Sequence, residues 1–465
     1  MSAHPHKAAT AVVVGLGRTG FSCARYLSKR GWRVAVTDTR AAPPQLARLR
    51  ALDADIEVRL GGLDAQLLED ALCVVASPGV SLAEPFFAEA RRRGLEIVGD
   101  IELFARAVDA PVAGITGTNG KSTVTTLLGR MAQRAGVRVR VGGNLGEPAL
   151  DLLDADDAAV RAARTDAHAN VSSGAAELYV LELSSFQLET TESLHLAAAT
   201  VLNISADHLD RYASVEDYAA AKARIFARCD TAVINLDDAL IVTMPRPGQR
   251  TLGFSLRARI GADYALAMEE QQWWLTRRGI RLLRVADMRL SGGHNAANAL
   301  AALALGEALD LPLPAMLEEL QSFAGLPHRS QWVAEVRGVT YINDSKGTNV
   351  GAALAAVSGM RVPVVLIAGG EGKNQDFTPL KEALRGKLRH AVLIGRAADE
   401  IAPVLAQICS VERAASLEDA VRAAARAAAS GDAVLLSPAC ASFDMFADYT
   451  ERGAVFVEAV RGLAA

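Results

Sequence analysis

The sequence predicts an α/β protein of three domains, each built on a mostly parallel sheet, and three observations carry that expectation. Short Val/Ile/Leu-rich runs recur and end in Gly, Asp, Asn or Ser; longer Ala/Leu/Arg stretches suited to helices lie between many of them; and two glycine-rich loops follow two of the runs directly. Runs that are apolar along their whole length indicate parallel strands covered on both faces. The length of 465 residues, with 51% apolar and 22% charged residues, suffices for several cores and about three domains.

The expected strands are Ala11–Val14, Val34–Thr37, Cys73–Ala76, Val112–Ile115, Tyr179–Leu183, Val201–Ile204, Val233–Asn235, Val364–Ala368, Val392–Ile394 and Val434–Leu436. A break near Gly99-Asp100 and another near Gly325, in FAGLPHRSQWV, divide the chain into 1–99, 100–325 and 326–465, with Rossmann-like first and third units around a P-loop ATPase-like centre. The polar, Ala/Ser-rich stretch Asp154–Ala176 has no strong period and reads as a surface insertion.

A formal net charge of −4 without long single-sign runs argues against a nucleic-acid or membrane surface as partner. No apolar run approaches the roughly 20 residues that span a bilayer, and the N-terminal apolar run leads straight into a glycine motif, so a cytoplasmic chain is expected. The five cysteines are scattered and never in a C-x-x-C pair, which argues for reduced thiols.

In the first unit Gly15-Leu16-Gly17-Arg18-Thr19-Gly20 follows an apolar strand and opens a helix, and Asp38 ends the next strand at about the interval of a ribose-binding acid. Alone, this fingerprint indicates an NAD-dependent oxidoreductase. A uridine diphosphate is the alternative, because any diphosphate suits a glycine-rich helix start and a separate phosphate loop follows downstream. That second loop, GITGTNGKST at 114–123, is the most informative feature of the chain. Gly117, Thr118, Asn119 and Gly120 would turn backbone N–H groups toward phosphate oxygens, Lys121 would add a cation, and Ser122 or Thr123 would offer a hydroxyl to Mg²⁺. Its spacing departs from the standard P-loop, since the position that should hold the first glycine is Ile115 and the nearest glycine is Gly114. Glu182 and Asp207-His208 each close or follow an apolar run, so parallel topology brings a carboxylate and an imidazole to the same sheet edge as the loop.

Together GTNGKST, LELSSFQLE, NISADHLDRY, HNAANALAA, GLPHR, INDSKGTN and SPACASFD resemble the bacterial Mur ligases of peptidoglycan synthesis over nearly the whole chain. The GLGRTG domain and SPACASFD favour the member that adds D-glutamate; folylpolyglutamate synthases share the core, and the D-N-P-R segment of the diaminopimelate- or lysine-adding member is missing. The resemblance implies an ATP-dependent amide ligase acting through an acyl phosphate on small-molecule substrates; a monomer is expected. It implies Lys121 on the outer phosphates; Mg²⁺ near Ser122, Thr123 and Glu182; and a second Mg²⁺ near His208. It places Asn295, Asn298, Arg329 and Asp344 on the nucleotide, and Leu16, Thr19, Asp38, Thr39, Arg40, Ser77 and Asn144 on UDP-N-acetylmuramoyl-L-alanine. Lys346, Thr348, Lys373, Ser442, Phe443 and Tyr449 fall to D-glutamate, with Glu371 and Tyr449 departing from the usual Asp and Phe. Lys222 is implied to be carbamylated and to ligate the second Mg²⁺; the plain alternative is a surface lysine paired with Glu216 or Asp217.

Overall fold

The computed structural model describes residues 10–156, 175–257, 261–290, 292–360 and 362–464. Each sheet is built from one stretch of chain. The first is wholly parallel, in the spatial order Glu57–Leu60, Arg33–Asp38, Thr10–Val14, Ala71–Ala76 and Glu96–Val98. Its central strand TAVVV is buried at every position, which is why the run shows no alternation.

The second sheet runs Ile280–Arg284, Gln272–Arg277, Tyr264–Glu269, Arg250–Ser255, Cys229–Asn235, Leu196–Val201, Val112–Thr116, Leu178–Glu182 and Val139–Gly143. It is parallel from Tyr264–Glu269 to Val139–Gly143, and the last two strands at the other edge are antiparallel. The third sheet opens with the antiparallel pair Gln331–Val336 and Val339–Asn343 and continues in parallel through Ala433–Leu436, Val364–Gly369, Leu388–Ile394 and Ser410–Arg413.

One apolar core spans the first two sheets. The helix Asp100–Ala105 buries Ile101 and Phe104 between them, and the Phe104 ring meets Tyr179 edge-on at 5.2 Å. Among the described residues no helix is long and apolar enough to cross a membrane, and all five cysteines are free thiols.

Two expectations need correction. The strand placed at Val201–Ile204 is Leu196–Val201. The chain leaves the ladder because Asn203 accepts from the Asn119 N–H at 2.8 Å and the Ile204 N–H turns to Asp238 at 2.8 Å. The surface insertion does not begin at Asp154, since residues 149–156 are helical. Asp154 accepts from Lys29 at 2.8 Å, and buried Asp156 accepts from Arg140 at 2.8 Å and from the Tyr179 hydroxyl. The part of the insertion at 157–174 lies outside the described residues.

Candidate active site

The central cleft grows from the ends of three adjacent parallel strands. Val112–Thr116 runs into the phosphate loop, Leu178–Glu182 ends on the carboxylate, and the segment after Leu196–Val201 carries Asp207 and His208. Gly117 and Gly120 take φ of 142° and 83°, which other residues rarely adopt, and a Cβ on Gly120 would stand 2.4 Å from the Asn298 side chain. Both glycines are therefore required by the shape of the loop. The helix Lys121–Arg134 begins immediately after, with its free N–H groups facing the cleft side of the loop.

Lys121 is folded onto its own loop, donating to the carbonyls of Gly117 at 2.9 Å and Thr118 at 2.8 Å. Burial lowers its pKa, against the raising influence of Glu182. Ser122 donates to Glu182 at 2.5 Å, and Asn144 donates to the other carboxylate oxygen at 2.7 Å. A buried carboxylate beside a hydroxyl is an oxygen donor set of the kind Mg²⁺ accepts, and Mg²⁺ typically takes only one or two protein carboxylates with the rest from phosphates and water. No group of three or more His, Cys, Asp or Glu side chains suited to a metal exists among the described residues.

His208 adopts φ 55° and packs edge-on against Phe186 at 4.9 Å. Burial lowers its pKa, against the raising influence of Asp207, and so favours the neutral imidazole. Lys222 is not a surface lysine. It is 1% exposed, donates to Thr116 Oγ1 at 3.3 Å, and lies 4.5 Å from the Tyr218 ring centre. Burial first, then the charge of Lys121, pushes its pKa well below the ordinary lysine value. Neither Glu216 nor Asp217 is its partner; Asp217 is held by the Ser214 hydroxyl at 2.8 Å.

A second cavity opens behind the loop, lined by Asn119, Gly120, Thr123, Asn295, Asn298, Arg329, Asp344 and Lys346. Asn298 donates to Asn295 at 3.2 Å, which fixes the orientation of both amides on the helix Gly293–Ala308. Asp344 is buried, accepts from Ser437 at 2.8 Å and the Ser330 N–H at 3.0 Å, and burial raises its pKa to about 6. Arg329 crosses from the third sheet's side to donate to Ser122 at 2.5 Å.

Lys346, Thr348, Lys373, Ser442, Phe443 and Tyr449 share the central cleft with Lys121, Glu182, His208 and Lys222. Lys346 lies 3.9 Å over the Tyr449 ring, and burial together with Arg329 and Lys121 lowers its pKa to about 8. Phe443 is the outlier, 68% exposed at the rim.

In the first domain Arg18, Thr19, Asp38, Thr39, Arg40 and Ser77 line a pocket that reaches Asn144 of the second. Leu16 is a correction: its side chain is wholly buried in the core, and only its N–H faces the loop, donating to Asp38 at 2.6 Å. Asp38 also accepts from the Arg40 backbone, Nε and Nη2 at 2.7–2.9 Å. Burial works to raise its pKa, but those bonds win and hold it below the usual aspartate value. Four accepted hydrogen bonds fill the lone pairs of the carboxylate, leaving none for a ribose diol.

Three residues outside the expected set join the site. Asn203 exchanges hydrogen bonds with Asn119 on the phosphate loop. Asn349 caps the helix Val350–Ser358 and touches Asn119 and, at 3.3 Å, Asp207. Arg211 donates to the Pro78 carbonyl at 2.8 Å and to Glu189 at 2.8 Å, and lies 3.9 Å over the Phe186 ring, bracing the first domain against the second. All three lie within motifs that carry the resemblance, Asn349 at the end of INDSKGTN and Asn203 and Arg211 in NISADHLDRY, but nothing in the sequence assigned them a contact.

The chain matches the MurD-like N-terminal domain of Mur ligases over residues 9–99, the Mur ligase middle domain over 115–306 and the Mur ligase glutamate ligase domain over 328–440. It is 51% identical over 459 residues to a UDP-N-acetylmuramoylalanine–D-glutamate ligase of Nitrosococcus oceani, covering 98% of this chain and 97% of that one. A protein of the same name from Pseudomonas aeruginosa is 50% identical, covering 97% and 98%. Among solved structures, a UDP-N-acetylmuramate–alanine ligase from Thermotoga maritima superimposes with a TM-score of 0.59 at 20% identity, covering 97% and 99%, which establishes the shared three-domain fold. By sequence, domain content and fold alike, this chain belongs to the Mur ligase family, alongside the UDP-N-acetylmuramoylalanine–D-glutamate ligases.

Proposed function

We propose that this protein joins D-glutamate to the carboxyl group of UDP-N-acetylmuramoyl-L-alanine, driven by ATP, in the synthesis of peptidoglycan precursor. One observation carries the reading: the phosphate loop, the Ser122–Glu182 pair and the cationic residues Lys346 and Lys373 line a single cleft. The three units 1–99, 100–325 and 326–465 bring the uridine substrate, ATP and D-glutamate respectively. Thr19, Thr39, Arg40, Ser77 and Asn144 hold the uridine nucleotide and its muramoyl arm; Asn295 and Asn298 face the adenine; Lys121 and the loop amides take the outer phosphates.

The substrate carboxylate attacks the γ-phosphorus, forming a C–O–P linkage as ADP leaves. The amine of D-glutamate, freed of its extra proton, then attacks the acyl carbon; the C–N bond forms and inorganic phosphate departs. Each step places negative charge where Lys121, Arg329 and Lys346 can neutralise it. Glu182 with Ser122, and His208 with a carbamylated Lys222, would hold two Mg²⁺ ions, which supply further charge neutralisation at the phosphates. The buried, low-pKa amine of Lys222 supports that modification, because only the neutral amine adds CO₂ and the product is an anion suited to a metal. D-glutamate, a dicarboxylate, meets Lys346, Thr348, Lys373, Ser442 and Tyr449. The enzyme works in the cytoplasm as a monomer. Purified protein should release phosphate from ATP with UDP-N-acetylmuramoyl-L-alanine and D-glutamate, and far less with L-alanine or no amino acid; equal release under all three conditions would refute the assignment.

A further inference from the structure

Arg452 lies on the helix Tyr449–Ala464 with no exposed surface. Its four hydrogen bonds go to uncharged oxygens: Nε to Ser345 Oγ at 3.0 Å, Nη2 to the Ser345 carbonyl at 2.7 Å, and Nη1 to the carbonyls of Cys440 at 3.1 Å and Ala441 at 3.2 Å. Burial lowers its pKa to about 10, which leaves it charged at neutral pH. A buried guanidinium satisfied by neutral acceptors alone is an expensive way to fill a core.

The acceptors explain its presence. Ser345 immediately precedes Lys346, and Ala441 immediately precedes Ser442. The Ala441 carbonyl also accepts from the Glu371 N–H at 2.9 Å, which ties in the loop that carries Lys373. Ser345 Oγ, which accepts from Arg452, donates onward to the Tyr449 carbonyl at 2.8 Å, and the Tyr449 ring carries Lys346 on its face. One planar group with N–H bonds in fixed directions thus stands behind the roots of three loops.

We propose that Arg452 is a positioning residue for the amino-acid substrate: its fork fixes the spacing between the donors on the three loops, and so sets the affinity for a dicarboxylate, without touching the substrate. This rests on the reading of the cleft as the D-glutamate site. A lysine at this position keeps the charge and loses the fork, because a single ammonium cannot reach Ser345, Cys440 and Ala441 in the same geometry.

The experiment compares the wild type with Arg452→Lys and Ser345→Ala, measuring KM for D-glutamate, ATP and UDP-N-acetylmuramoyl-L-alanine together with the unfolding midpoint. Arg452→Lys is expected to raise the D-glutamate KM about ten- to a hundredfold, the scale on which small displacements of positioning groups act, while the other two KM values move less than about twofold. Ser345→Ala should shift the D-glutamate KM in the same direction by a smaller factor, and it decides the matter should Arg452→Lys fail to fold. An unchanged D-glutamate KM in the folded variants, or a parallel change in all three KM values with a lowered midpoint, overturns the proposal and makes Arg452 structural only. A wild type whose phosphate release ignores D-glutamate overturns the functional reading instead.

Discussion

Arg329 donates to Ser122 across 2.5 Å, joining the segment that leads into the third sheet to the first turn of the phosphate-loop helix, and the same hydroxyl donates onward to Glu182. The third domain is therefore closed onto the second at the position where the nucleotide phosphates would sit. On the proposed reading, closure and phosphate binding would draw on one set of side chains.

Arg329→Ala should lower kcat/KM for ATP by about a hundredfold, near 3 kcal/mol, the usual loss when a preorganised charge donor leaves a dry site. Affinity for UDP-N-acetylmuramoyl-L-alanine, followed by calorimetry, should stay near wild type. A matching fall in both would mean that the substitution disturbs the fold.

Lys222→Ala should lose most ligation activity, and added formate or acetate should restore part of it by supplying a carboxylate in the space left by the side chain. Activity should also depend on dissolved CO₂ in the wild type. Near-normal turnover of Lys222→Ala without any added carboxylate would sink the modified-lysine reading.

Asp38→Ala removes the acceptor that holds the Leu16 N–H and the Arg40 guanidinium, so the first-domain pocket should lose its shape. Calorimetry should show the uridine substrate bound about tenfold more weakly, a loss of about 1.4 kcal/mol. NAD should not bind comparably to the wild type, where the Asp38 carboxylate is already occupied by four hydrogen bonds, nor to the variant, which has no carboxylate there for a ribose; tight NAD binding would revive the dehydrogenase alternative.

Asp100 is buried, with one carboxylate oxygen accepting from Gln187 at 2.9 Å and the other without a side-chain partner among the described residues, and burial raises its pKa to about 6 from an unfolded value of 3.8. The folded state holds this proton more tightly than the unfolded chain. Its contribution to stability is therefore complete below pH 3.8 and is lost as pH rises to about 6, where ionisation costs about 3 kcal/mol at the usual 1.36 kcal/mol per unit. Asp100→Asn keeps an acceptor for Gln187 and should stabilise the protein more at pH 8 than at pH 5 in urea unfolding. Equal gains at both values would contradict the assigned cause.

Much of the site was legible because parallel strands put loop chemistry at one edge: Lys121, Glu182 and His208 each end or follow an apolar run, and one sheet edge gathers them. What stayed hidden depends on meetings between distant segments. Nothing near Arg452 announces that it will reach Ser345 and Ala441, and nothing near Leu16 says that its side chain turns inward. The antiparallel hairpins were hidden for a local reason. Glu270 and Gln271, with φ of 50° and 62°, form the tight turn between Tyr264–Glu269 and Gln272–Arg277, a conformation for which Asn and Gly are the usual residues. The turns at Arg278-Gly279 and Arg337-Gly338 carry only half of that signature.

The strand Ile280–Arg284 ends the nine-stranded sheet, so one row of its backbone N–H and C=O groups pairs with no strand among the described residues. Such a row invites a strand from another molecule. Here it is guarded by charge: Arg281 lies across the Trp274 ring at 5.2 Å, and Arg284 is paired with Asp287 at 2.8 Å, so a second copy approaching this border would have to strip water from guanidinium groups before any backbone bond could form. Charged side chains on a border strand work against such pairing.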